Sequence, residues 1–176
     1  MNLLHRIKEK FLALILPRIK SSGYYAFRNI FSDIRDLINT DNPIIIDGGA
    51  NFGETTDTFL DQYSNPTIYC FEPNPIWAAK LTERFASHSN VKVFSQALGG
   101  QNTRAQFNIS KNISSSSFLK QTDLLKEYHG EVLHTASVAQ VDMVTLDSVF
   151  AQMPIIDLLK LDLEGYELEA LKGASQ

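Results

Sequence analysis

A single cysteine in 176 residues leaves this chain unable to form an internal disulfide. That cysteine, Cys70, stands between Tyr69 and Phe71 in an apolar run, where a small buried side chain is expected rather than a nucleophile or metal ligand. Long hydrophobic runs are also lacking. The N-terminal run Phe11–Leu16 has six residues, against the roughly 20 that span a bilayer. No small-residue cleavage site follows it, so no signal peptide is expected. Basic residues are in deficit: 16 Lys and Arg against 20 Asp and Glu give a net charge of -4. That balance argues against nucleic acid as a substrate, because phosphate backbones recruit basic surfaces. Repeats are absent, and Ser114–Ser117 is the one low-complexity stretch. What remains is a cytoplasmic chain of single-domain size whose 44% hydrophobic content is enough for a core.

The most informative segment runs from the apolar Ile44-Ile45-Ile46 through Asp47-Gly48-Gly49-Ala50-Asn51-Phe52-Gly53 into the polar Glu54-Thr55-Thr56-Asp57. It reads as a buried strand, a glycine turn and a helix start, which lets backbone approach a nucleotide-like ligand. A dinucleotide fingerprint fails here, since Asn51 stands where G-x-G-x-x-G needs its middle glycine. The acid Asp47 at the strand tip would repel a pyrophosphate and attract a cation. A second acid, Glu72, lies nineteen residues beyond Gly53, at the end of the apolar run Thr67–Phe71. An acid at that distance can hydrogen-bond both hydroxyls of a ribose. The two features describe a site for a positively charged nucleoside, for which S-adenosylmethionine is the candidate; the bland alternative is an ordinary tight turn. A nicotinamide dehydrogenase is disfavoured by the same Asn51.

These residues resemble the FkbM-type methyltransferases. Besides Ile44–Thr56 and Tyr69–Pro75, the resemblance rests on Ser114–Phe118, Val144-Thr145-Leu146-Asp147 and the block Leu158–Ala174, five stretches in one order over about residues 43 to 174. It implies a class I methyltransferase fold, α/β and doubly wound with a mostly parallel sheet of Rossmann-like type, and methyl transfer from S-adenosylmethionine, usually to oxygen. In such a site Gly49 and Asn51 frame the methionine part of the cofactor and Gly53 lets the chain turn into the helix. Glu72 holds the ribose, while Gln96, Ala97 and Leu98 fall beside the adenine ring or form a core edge ahead of Gly99-Gly100. The serine stretch touches cofactor or substrate, or is a flexible loop.

The periodicity agrees with that architecture. Residues 1–42 form an N-terminal helical segment, with Leu3, Leu4, Ile7, Phe11, Leu14 and Ile15 on one face and His5, Arg6, Lys8 and Lys10 beside them. Such a helix suits an anionic membrane surface, or packs on its own domain or on another subunit of a homo-oligomer. A second helical pattern runs from Tyr24 to Ile38, followed by the turn Thr40–Pro43. From residue 43 onward strands are expected at 44–47, 67–71, 91–94 and 156–161, and helices at 54–63, 75–87 and 164–172. The stretch from Ser95 to Ile155 is too long for a plain crossover. Extra strands fit Arg104–Ser110 and Ser137–Val144, and a helix fits Phe118–Tyr128. A complete class I fold has three more strands after the helix that ends this chain. Residues 43–176 are therefore expected to form a C-terminally incomplete domain, a fragment or a form that folds differently or with a partner, with the strand Ile155–Leu159 exposed at an edge.

An O-methyltransferase acting on a small molecule or saccharide must align donor and acceptor and take the hydroxyl proton. Asp162 and Glu164 are the catalytic candidates, because they follow the fourth strand at its carboxyl end, where open parallel sheets place ligands. The bland alternative is that Glu164 and Glu167 favour a helix N-terminus. No third convincing ligand accompanies these acids, so no metal is expected. His129 and His134 fall in the insertion and could reach a substrate, while His5 and His88 sit in helical contexts; a solvated or locally bonded role is expected for each, with His129 the better outside candidate for a base. A truncated, non-catalytic binding module is the functional alternative.

Overall fold

A computed structural model describes residues 30–110, 116, 118, 135–152 and 155–175. The amphipathic helix expected near the N-terminus, most of the serine stretch, the helix expected at Phe118–Tyr128, and His5, His129 and His134 lie outside these residues. The chain divides into two units, Met1–Asn39 and Thr40–Gln176. In the first, the periodic stretch ending at Ile38 contains one described helix, α1 (Ile30–Leu37).

The second unit is built on a four-stranded parallel sheet made of β1 (Ile44–Gly48), β2 (Thr67–Phe71), β3 (Val91–Phe94) and β7 (Leu158–Leu161). Their order is β3-β2-β1-β7, so the chain winds outward from β1 in both directions. Helices α2 (Glu54–Gln62) and α3 (Pro75–Arg84) make the β1-to-β2 and β2-to-β3 crossovers. Parallel strands covered by helices are near-continuous apolar runs: Ile45, Ile46, Ile68 and Cys70 have no exposed surface, and Asp47 in β1 and Lys160 in β7 interrupt the pattern. Order and connections together define a doubly wound, Rossmann-like fold.

A second sheet, β4-β6-β5, consists of β4 (Ala97–Leu98), β5 (Thr103–Ser110) and β6 (Thr135–Val144). The two long strands expected in the insertion are present and pair antiparallel, while β4 pairs parallel with β6. Ala97 and Leu98 are thus strand residues, 1% and 2% exposed. Leu98 joins Ile46, Phe71, Leu146 and Ala170 in the main core, and the rings of Phe71 and Phe94 stack with centroids 4.7 Å apart. Two further short helices are described in this unit, α4 (Leu146–Val149) and α5 (Glu167–Lys172).

Several boundaries differ from expectation, those of β7 and α5 for local reasons. Strand β7 begins at Leu158 rather than 156, because the side chain of Asp157 accepts the Ile44 N–H at 2.7 Å while Ile155 and Ile156 lie outside the ladder, 62% and 37% exposed. The last helix begins at Glu167 rather than 164, since Glu164 and Gly165 both have positive φ, 53° and 95°, which no right-handed helix accepts. Helix α3 stops at Arg84, so His88 is a loop residue whose Nδ1 lies 3.4 Å from Ser87 Oγ.

Candidate active site

The carboxyl ends of β1, β2 and β7 and the start of β4 surround a cavity of about 140 Å³. Its floor is the turn after β1. Gly49 has φ +71°, and a Cβ there would stand 2.0 Å from the carbonyl oxygen of Asp162; only glycine lets β1 and the β7 loop approach so closely. Asn51 follows at φ 48°, a left-handed conformation asparagine tolerates better than most residues. At Gly53, φ +86°, a Cβ would strike the ring of Phe85 at 2.5 Å. Gly53 therefore seats α2 against α3 and is not part of the cavity wall. Arg84, at the end of α3, donates to the Phe52 carbonyl at 2.7 Å and pairs with Asp57, tying down the far side of the turn.

Glu72 lines the cavity with only 7% of its surface exposed. Its Oε2 accepts the Asn51 N–H at 2.9 Å and its Oε1 the Asn74 N–H at 2.8 Å. Burial pushes its carboxyl above the ordinary value, against the two backbone N–H groups, which favour the ionised form. Each oxygen keeps a lone pair for a further donor. Asn74 in turn caps α3 by accepting the Ile76 N–H at 3.0 Å.

Asp47 is not the open carboxylate expected for a cationic ligand. It is fully buried and does not line the cavity. Its Oδ2 accepts from Thr56 Oγ1 at 2.8 Å, and its Oδ1 lies 3.0 Å from Lys160 Nζ. That last contact is a charge contact without hydrogen-bond alignment; the ammonium donates instead to the carbonyls of Gly48 and Gly49, at 3.2 and 3.0 Å. The negative charge at the tip of β1 is thereby met from within the protein. Cys70 lies beside this group, 3.3 Å from Thr56 Oγ1. Burial pushes its thiol up to about 12, which fits a packing residue.

Across the cavity stand Asp162 and Glu164, both exposed side chains at its rim. Burial, then the charges of Asp162 and Glu167, raise the Glu164 carboxyl above its ordinary value. Glu167 has a different position: its Oε1 accepts the N–H groups of Leu163 at 2.6 Å and Gly165 at 3.3 Å. Burial opposes its ionisation, but these bonds and its own N–H outweigh it and hold the carboxyl below the usual value. Glu167 therefore braces the loop that carries the other two acids. Among the described residues, no group of three or more His, Cys, Asp or Glu side chains is placed to hold a metal ion.

Of the remaining predicted residues, Gln96 and Ala97 line the cavity at the entry to β4, and Ser116 does so while its hydroxyl accepts the Ser110 N–H at 3.1 Å. Sequence reasoning missed an aromatic wall. Phe118 packs between Phe107 and Tyr166, with ring centroids 4.9 and 5.0 Å away, and Trp77 rests on Phe52 at 4.0 Å. Aromatics scattered from 52 to 166 carry no periodic signal. Lys160 was also unassigned, although a lysine inside Leu158-Leu159-Lys160-Leu161, opposite an aspartate inside an isoleucine run, is a legible pair, because buried charges are rarely left alone.

Comparison with known proteins gives the family. The Methyltransferase FkbM domain matches residues 47–176, and the chain belongs to that family. Among curated proteins, 2-O-methyltransferase NoeI of Sinorhizobium fredii (strain NBRC 101917 / NGR234) is 25% identical over 84% of this chain and 63% of its own length. Methyltransferase sdnD of Sordaria araneosa is 27% identical over 89% of this chain and 71% of its own, and Methyltransferase 1 of Beauveria bassiana (strain ARSEF 2860) is 25% identical over 96% and 74%. The chain thus spans less than two thirds of the length of NoeI.

Proposed function

We propose that the cavity binds S-adenosylmethionine and that the protein moves its methyl group to a hydroxyl of an uncharged small molecule or saccharide. The observation that carries this reading is Glu72: a buried carboxylate at the tip of β2 that pins the glycine turn and still presents acceptor lone pairs to the cavity. A ribose diol is the donor pair that such a carboxylate recognises. Support for a ligand bearing an amino group comes from Asn51, a residue of the cavity lining whose buried Oδ1 has no hydrogen-bond partner among the described residues. A buried acceptor left unpaired costs about 1–3 kcal/mol, a cost that a bound ammonium donor removes. Gln96, Ala97 and Leu98 flank the place left for adenine.

When bound, the cofactor supplies an activated methyl carbon on sulfur, open to in-line displacement. The chain's own residues orient the partners and receive the proton. Asp47 acts through Lys160 and Thr56 as a positioning residue for the turn. Glu164 accepts the acceptor's hydroxyl proton as the oxygen–carbon bond forms, and its raised carboxyl makes it a stronger base than an ordinary glutamate; Asp162 beside it holds the acceptor. Phe118 and Tyr166 keep water from that end of the site. The relative NoeI is named a 2-O-methyltransferase, which supports oxygen as the accepting atom.

Three carboxylates, Glu72, Asp162 and Glu164, line the cavity, and no Lys, Arg or His does so among the described residues. That field favours a cationic donor and opposes anionic acceptors. The test is transfer of labelled methyl from S-adenosylmethionine to a panel of polyols and sugars, each offered with and without a phosphate. Label should enter the neutral compounds at least tenfold faster. Preferential labelling of the phosphorylated members, or of none, contradicts the reading.

A further inference from the structure

We infer that Lys160 is the positioning residue that sets the cofactor turn, by fixing two successive peptide planes rather than by merely neutralising Asp47. The inference rests on the proposed cofactor site and extends it to a residue that touches no ligand. Lys160 stands opposite Asp47 in the β1–β7 register, with its side chain 22% exposed. Its ammonium reaches the carbonyl oxygens of both Gly48 and Gly49. In a trans peptide the carbonyl and the following N–H point in opposite directions, so a group that holds one end also aims the other.

The other ends are held too. The Gly49 and Ala50 N–H groups both donate to the Phe71 carbonyl, at 2.9 and 3.1 Å. The plane Gly48–Gly49 is held by Lys160 together with the Asp162 N–H, which donates to the Gly48 carbonyl at 3.1 Å, and the plane Gly49–Ala50 by Lys160, with the end of β2 taking the opposite end of each. That choice forces the positive φ at Gly49 and delivers the next N–H, from Asn51, to Glu72. The ion pair extends the same brace: Asp47 takes the Thr56 hydroxyl from α2, and Thr56 meets Cys70 on β2. One ammonium thus connects β7, β1, α2 and β2 directly beneath the turn. A plain counter-ion would need only the carboxylate, and the two carbonyl contacts are what separate the roles.

Asp47→Asn with Lys160→Met removes both charges and takes the ammonium from both carbonyls; the Gly48 carbonyl keeps the Asp162 N–H at 3.1 Å, while the Gly49 carbonyl loses its donor. The double variant avoids the stranded buried aspartate that Lys160→Met alone would leave, so its melting temperature should stay close to that of the unaltered protein. Amide exchange is read on the ligand-free protein at Gly49–Gly53, and affinity for S-adenosylhomocysteine by calorimetry. The expected result is at least tenfold faster exchange in the turn, with β2 and α2 unchanged, and at least tenfold weaker binding. Exchange in the turn that matches the unaltered protein overturns the inference, as does equal affinity in both proteins. Failure of the unaltered protein to bind S-adenosylhomocysteine, with faster exchange in the double variant, would refute the proposed cofactor while upholding the lysine's hold on the turn.

Discussion

Glu164 and Glu167 illustrate how three residues of sequence can separate two chemistries. Both are glutamates after the same strand, and both could be read as ornaments of a helix N-terminus. Glu167 spends its carboxylate on the Leu163 and Gly165 N–H groups, so it is committed to backbone. Glu164 sits on a left-handed residue at the cavity rim with its carboxyl raised by burial and by two neighbouring acids. As the proposed base it works only when ionised, and a raised pKa keeps it protonated to higher pH. Activity should therefore grow as pH rises through a value above 4.5, the ordinary figure for a glutamate, and fall away below it. Glu164→Gln should abolish this acid limb and lower kcat by about 100-fold or more, with little change in cofactor affinity. A pH–rate profile of kcat/KM for the two proteins measures both. A limb that persists in the variant transfers the role to Asp162.

Elements, more than single residues, decide how far this sequence could be read. The β1 turn, the strand ending at Glu72 and both crossover helices were legible because each has its own punctuation: an apolar run, a glycine or proline, then polar residues at helical spacing. Asn74-Pro75 is a clear case, with the asparagine capping Ile76 N–H and proline at the first helical position, where no N–H is needed. Asn74→Ala should cost about 0.5–2 kcal/mol of stability, with additional loosening of Glu72, whose Oε1 rests on the Asn74 N–H; a urea unfolding midpoint reads the loss. The boundaries of β7 and α5 were not legible, because a side chain substituting for a ladder bond and a pair of positive-φ residues have no periodicity. The second sheet was only half visible. Its long strands alternate, but β4 is two residues whose strand character comes from partners more than forty positions away. The role of Asp47 was misread for the same reason: local sequence shows an acid at a strand tip, and only the β1–β7 pairing shows that Lys160 meets it.

At the scale of the whole molecule, the charged side chains that line the cavity are acidic among the described residues, while Lys160 and Arg84 lie behind the turn. Net charge is -4, and of the acids near the turn only Asp47 is met by a lysine. Glu72, Asp162 and Glu164 remain facing the cavity, an arrangement suited to a cationic donor. Among the described residues no helix is long and apolar enough to cross a membrane. Doubly wound order puts β1 and β2 side by side, so the glycine turn and Glu72 converge although twenty-one residues separate Asn51 from its carboxylate partner. The account rests on that convergence being a nucleoside site. Calorimetric titration of S-adenosylhomocysteine into the protein and its Glu72→Gln variant tests it most directly, with cooperative melting confirming that both are folded. One-to-one binding, weakened at least tenfold by the substitution, is the predicted result. No binding to the unaltered protein, or equal affinity in the folded variant, would contradict it.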